Sequence, residues 1–162
     1  MSDVNVRHTL NVNGEDIDVL AMDNSSFLAS NKKTTADYRA LFAQAIGTTG
    51  TIPKIVKMAF GTGGEVDEQG NPAPPSDNGP LNNVVLTKAI TAVTYPVDTT
   101  VQFTAEILAG DVTAIINEIA LIDENENTAA KMRLLTPKGV DDESGFISNW
   151  SVEFQGGIRY EC

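Results

Sequence analysis

At 162 residues the chain has the length of one domain able to bury a real core, and its 41% apolar and 20% charged residues are ordinary for a globular protein. The formal net charge of -11, from 22 acidic and 11 basic residues, argues against nucleic acid as a partner, since binding it needs basic side chains to displace counterions. It suits solubility, or a basic partner surface, and the acids are spread along the chain as solubility alone would have them.

No segment approaches the roughly 18 consecutive apolar residues of a membrane helix. The polar start, Met1 to Asn13, lacks the apolar core of a secretory signal, so synthesis in the cytoplasm is expected. The single cysteine, Cys162, is the last residue and has no partner for an internal disulfide, which leaves stability to packing.

In chain order, Val4, Val6, His8 and Leu10 alternate with polar residues, Asn13-Gly14 is a hairpin turn, and Ile17, Val19 and Ala21 alternate on a returning strand. His8 is the chain's one histidine, so a site built on histidines is not expected. Thr34 or Thr35 then caps a helix running to about Ile46, with Tyr38, Leu41, Phe42, Ala45 and Ile46 as one apolar stripe for core packing and Gly47 as its stop. A strand follows, with Val56, Met58 and Phe60 on one face and Ile55, Lys57 and Ala59 on the other.

It ends in Gly61-Thr62-Gly63-Gly64, the start of a long loop over residues 61–80 with five glycines and four prolines. Such composition predicts either a docking arm that orders on a partner or a solvated flexible loop. A phosphate cradle is rejected: no Gly-Lys-Ser/Thr follows, no apolar helix begins there, and Glu65, Asp67 and Glu68 would repel phosphate.

The second half reads as strands. Residues 81–88 are ambiguous between helix and strand. Ile90, Ala92 and Thr94 alternate with Thr91, Val93 and Tyr95, and Pro96-Val97-Asp98 makes a turn. Val101, Phe103, Ala105 and Ile107 point one way on the returning strand. Residues 115–122 and 129–135 pair as a hairpin around Asp123-Glu124-Asn125-Glu126-Asn127. That turn begins like a calcium loop, but Thr128 stands where glycine is needed and Leu134 where glutamate is, so it is a hairpin tip. Residues 137–145 read as an acidic loop. Phe146, Ser148, Trp150, Val152 and Phe154 form the last strand, whose sequon at Asn149 is discounted, and Gly156-Gly157 ends it. Glu106 and Glu118 lie within strands; they fit either a buried carboxylate pair or an exposed strand face, the commoner home for glutamate. The fold class expected is α+β: an antiparallel β-sheet or sandwich with one main N-terminal helix. No clustered acid, base or nucleophile points to an enzyme, and no metal or cofactor is implied.

Four segments in order carry a resemblance. They are Ala40-Leu41-Phe42-Ala43-Gln44-Ala45-Ile46-Gly47 running into Ile55-Val56-Lys57-Met58-Ala59-Phe60-Gly61-Thr62-Gly63-Gly64; Leu81-Asn82-Asn83-Val84 with Lys88-Ala89-Ile90; Ile116-Asn117-Glu118-Ile119-Ala120-Leu121-Ile122-Asp123-Glu124; and Trp150-Ser151-Val152-Glu153-Phe154. The series is similar to the phage tail-collar fibre family, found at the N-terminus of tail fibres of contractile phages and phage-like bacteriocins. Thr62 replaces an acidic residue of the family's turn, and Ala120 stands where glycine is usual.

The likeness covers about Tyr38 to Phe154, so the expected organisation is an N-terminal hairpin or arm over residues 1–33, a tail-collar-like domain over 34–155 and a tail over 156–162. The resemblance implies a structural protein of a virion or phage tail-like particle, attaching the baseplate or tail fibre, oligomeric and trimeric where it heads a fibre. Its partners would be other tail or baseplate proteins and the fibre, with no nucleic acid and no membrane. A chain ending at Cys162 would be an adaptor or short collar component. The surfaces expected to meet partners are the two loops and the termini, with Gly61, Thr62, Gly63, Gly64, Glu65, Asp67, Pro74, Pro75, Asp141 and Asp142 as candidate residues. The alternative is a receptor- or carbohydrate-binding module at the tail tip.

Overall fold

The structure, a computed structural model, describes residues 4–12, 15–18 and 31–154. These form ten strands and one helix: β1 (Val4–Val12), β2 (Glu15–Asp18), β3 (Lys32–Thr34), α1 (Ala36–Gly47), β4 (Ile55–Gly61), β5 (Val84–Ala89), β6 (Ala92–Val97), β7 (Thr100–Ile107), β8 (Ala114–Asp123), β9 (Thr128–Val140) and β10 (Phe146–Phe154). They build two five-stranded antiparallel sheets, ordered β2-β1-β10-β7-β6 and β3-β9-β8-β4-β5. This is the α+β arrangement that alternation in the strands implies. No helix among the described residues is long and apolar enough to cross a membrane.

Period-two alternation decides which residues lie between the sheets. From one sheet come Phe103, Ala105 and Ile107 of β7 with Phe146, Trp150 and Val152 of β10; from the other, Met58 and Phe60 of β4, Ile116, Ile119 and Leu121 of β8, and Ala130, Met132 and Leu134 of β9. Phe60 meets Phe146 edge to face across the layer, ring centres 5.8 Å apart. At the N-terminal end, β1 pairs with β2 from Thr9↔Asp18 to Val12↔Glu15 and with β10 from Val4↔Phe154 to Asn11↔Ile147. Val19 and Ala21, expected on the returning strand, lie outside the described residues, as do Gly156, Gly157 and Cys162.

The helix departs from expectation. Thr35 caps it, its hydroxyl accepting from the Tyr38 N–H at 3.2 Å, but none of the residues of α1 is buried and Ile46 is 81% exposed. The reason is that strand side chains already fill the interior, so α1 covers one end of the sandwich and leaves an apolar cavity of about 70 Å³ beside Tyr38, Phe42, Ile55 and Phe154. Tyr38 stacks edge to face on Phe42, which leans on Phe154. Leu41→Ala is therefore expected to cost about 1 kcal/mol in urea unfolding, below the roughly 2–5 kcal/mol of a fully buried leucine; a loss in that higher range would restore the core-packing helix. Gly47 is the last helical residue rather than a left-handed stop; the positive φ comes at Gly50 (93°), after the Thr48 and Thr49 N–H groups have both turned back to the Gln44 carbonyl.

Two loop boundaries also move. Pro96 and Val97 belong to β6, and the turn is Asp98-Thr99. β9 continues through Pro137 to Val140, so the acidic loop is the shorter residues 141–145.

Candidate functional site

The long connection between β4 and β5 does not hang free. It crosses the outer face of the β3-β9-β8-β4-β5 sheet as a strap. Leu81 packs on Ala59 and Ala120, whose small side chains leave room for it. Beside that contact lies Glu118 of β8, 4% exposed. Its two carboxylate oxygens accept three main-chain N–H groups, from Gly63 at 3.0 Å, Asn82 at 2.9 Å and Asn83 at 2.8 Å. The departing and returning ends of the strap are thus clamped by one side chain. Asn117 donates to the Thr62 carbonyl at 2.8 Å, Asn83 Nδ2 to the Thr62 hydroxyl at 2.7 Å, and Arg133 Nη1 to the Gly63 carbonyl at 2.9 Å.

This geometry explains the glycines. A Cβ on Gly63 would lie 2.8 Å from a Glu118 oxygen, and one on Gly64 would lie 2.5 Å from Arg133 Nη1, at a φ of 123° that side-chain-bearing residues rarely adopt. Of the glycine turn, the Gly63 N–H meets an anion, and that anion is the chain's own Glu118, whose other backbone donors come from Asn82 and Asn83 at the returning end.

Farther along, the strap reaches β3 and α1. Lys131 of β9, 2% exposed, donates to Ser76 Oγ and to the Asn78 carbonyl at 2.9 Å. Burial pushes its ammonium below the usual lysine range, while the Glu65 and Glu118 charges pull it back up. The Asp77 carbonyl accepts the Ala36 N–H, Asn78 Oδ1 accepts the Asp37 N–H, and Lys33 pairs with Asp77 at 3.3 Å. The space left beneath, about 10 Å³ beside Lys131 and Arg133, holds one water at most and no substrate.

The candidate residues now fall into three places. Gly61, Thr62, Gly63, Gly64, Glu65 and the buried Pro75 come together around the clamp. Asp67 and Pro74 are exposed. Asp67 builds the strap's tip: its Oδ1 accepts from Gln69 and Asn71, both at 2.9 Å, while Val66 bridges to Pro72 and the Ala73 N–H closes on the Glu65 carbonyl. These bonds fold the tip of the strap on itself. Asp141 and Asp142 sit in a separate loop. There Asp141 Oδ1 accepts from the Glu143 and Ser144 N–H groups, both at 2.8 Å, and these bonds hold its carboxyl below the ordinary aspartate range. The Gly110 N–H donates to the Asp141 carbonyl at 2.9 Å, tying this loop to the β7–β8 turn.

Glu118 and Glu106 are not a carboxylate pair: Glu118 is buried in one sheet, whereas Glu106 is exposed on the other. The Asp123 turn is the hairpin tip expected. Asp123 Oδ1 accepts from Asn125 and Asn127, and Glu126 carries the turn's positive φ of 66°. Burial and the nearby Asp123 charge push the Tyr38 hydroxyl up to about 12.

The residues that organise the site, Glu118, Lys131 and Arg133, were not among the candidates. Their signal was charge inside largely apolar strands, Glu118 in Ile-Asn-Glu-Ile-Ala and the alternating Lys131 and Arg133 in Ala-Lys-Met-Arg-Leu, which marks a face covered by something polar. Comparison with known protein families, curated proteins and solved structures finds no match.

Proposed function

We propose that this chain is a structural component of a phage tail or phage tail-like particle, a collar or adaptor that attaches the tail fibre or baseplate. The observation that carries the reading is the strap: a projection folded on itself, presenting an acidic tip with Asp67 and Glu68, and fixed to a rigid sheet by Glu118, Arg133 and Lys131. A part that works by contact needs such a feature, because a pre-ordered loop loses little entropy on docking. Further support comes from where the segments similar to the tail-collar family lie. β4 with its glycine turn, the Leu81-Asn82-Asn83-Val84 stretch and the Glu118 region of β8 all meet at the clamp. Within this reading the chain has no catalytic role, since both oxygens of its buried Glu118 are committed to backbone donors. It acts as a homo-oligomer, a trimer where it heads a fibre, in the assembled particle.

The test is to replace residues 66–72, which lie beyond the Glu65–Ala73 closure, with a short Gly-Ser link. The purified variant is expected to keep its melting temperature, while particles carrying it lack the fibre or the adjoining component. Complete and infective or bactericidal particles would overturn the assignment of the strap as the joint. Complete particles that fail to adsorb would replace it with the receptor-binding module.

A further inference from the structure

β6 is the outermost strand of its sheet, and all six of its residues are exposed. Its register puts Val93 opposite Phe103, on the side of the sheet that turns Phe103 into the core, yet Val93 is 46% exposed. The facing sheet ends at β5, so β6 overhangs it. Tyr95, 70% exposed, extends a short apolar row from Val93, while Val97, 57% exposed, lies past a register shift opposite Thr100 and so on the other side of the sheet.

Charge indicates what covers this row. Residues 89–105 contain one charged residue, Asp98, in a chain where charged residues make up 20%. Between Glu153, opposite Thr100, and Glu106 farther along β7, the outer face beside β6 carries neutral side chains bonded to each other: Thr94 with Gln102, Gln102 with Ser151, and Thr104 with Asn149. A basic partner would be drawn to the acids elsewhere on the molecule. Two copies of a chain of net charge -11 repel each other, and least where charge is missing. We propose that the β6 row is the contact between copies of this chain, centred on Tyr95, the large amphipathic aromatic type favoured at such centres. Pro96 has no N–H to give and the pairing shifts between Thr94 and Val97, so the contact is side-chain packing rather than a strand added to the edge. This gives the homo-oligomer of the attachment reading a surface. It rests on the strand itself, and purified protein tests it without particles, so either can fail alone.

Sedimentation equilibrium of the intact chain across a concentration series tests it. The wild type is expected to exceed its 17.3 kDa monomer mass, and to associate more tightly as salt screens the net charge, the opposite of a contact built on ion pairs. Tyr95→Glu is expected to weaken association at least about 10-fold, as burying a charge at the centre of an interface does. Ile46→Glu adds the same charge at an exposed site on α1 and should leave the association unchanged, and both variants should melt like the wild type. A wild-type mass of one chain up to about 100 μM in low and high salt would overturn the proposal, since a contact weaker than that contributes little. So would equal weakening by the two variants, or association that falls as salt rises.

Discussion

Glu118→Ala is expected to release the strap and to cost the domain about 3 kcal/mol in denaturant unfolding, with Glu118→Gln costing less. The order follows from the donors. Three main-chain N–H groups point at one carboxylate, and hydrogen bonds to a charged group are worth more than neutral ones. Glutamine keeps one acceptor oxygen, which can serve Gly63 and Asn83, but turns its own N–H₂ toward the Asn82 N–H, so one donor faces another. Alanine removes every acceptor and takes a negative charge from the neighbourhood of the buried Lys131. The readout specific to the clamp is local. Amide exchange at Gly63, Asn82 and Asn83 should speed up more than at Met58 or Leu121 in the core, and protease should cut within residues 61–83 first. If both variants unfold within about 0.5 kcal/mol of the wild type, Glu118 does not hold the strap.

What the sequence disclosed, and what it hid, divides along one physical line. Strands that bury one face show period-two alternation, and Phe103, Ala105, Ile107, Phe146, Trp150 and Val152 are where that pattern puts them. The pattern reports a face turned toward apolar surroundings; it does not report a face covered by a polar loop. β8 and β9 are buried on both sides, by the other sheet within and by the strap without, so Glu118 and Lys131 look like surface residues in the sequence and are not. The helix misleads in the opposite direction. Tyr38, Leu41, Phe42, Ala45 and Ile46 have core spacing, but a sandwich interior fills with strand side chains and leaves the helix only an end to cover. The glycine turn was legible as a backbone feature. Its reason was not, because Glu118 lies 55 residues from Gly63 and nothing local links them.

Gly145→Ala is expected to cost about 3 kcal/mol, where the same change at Gly139 costs about 0.5 kcal/mol or less. Neither glycine has a positive φ, so freedom of the backbone is not the issue. Around Gly139 there is no atom within 4 Å of a built Cβ, while at Gly145 that Cβ would fall 1.9 Å from the Ile107 carbonyl oxygen. The obstacle is main chain of β7 and cannot rotate away, so the start of β10 has to move. Phe146 is the next residue; it pairs with Ile107 and stacks on Phe60 in the core, and it moves as well. Most of the cost is then the lost packing of Phe146, and a double-mutant cycle reads this directly. In a Phe146→Ala background, which alone is expected to cost about 3 kcal/mol, adding Gly145→Ala should cost about 1 kcal/mol or less, well short of additivity. Additive losses would mean that the clash is absorbed in the Asp141 loop and the Gly110 contact, leaving the β7–β10 pairing in place.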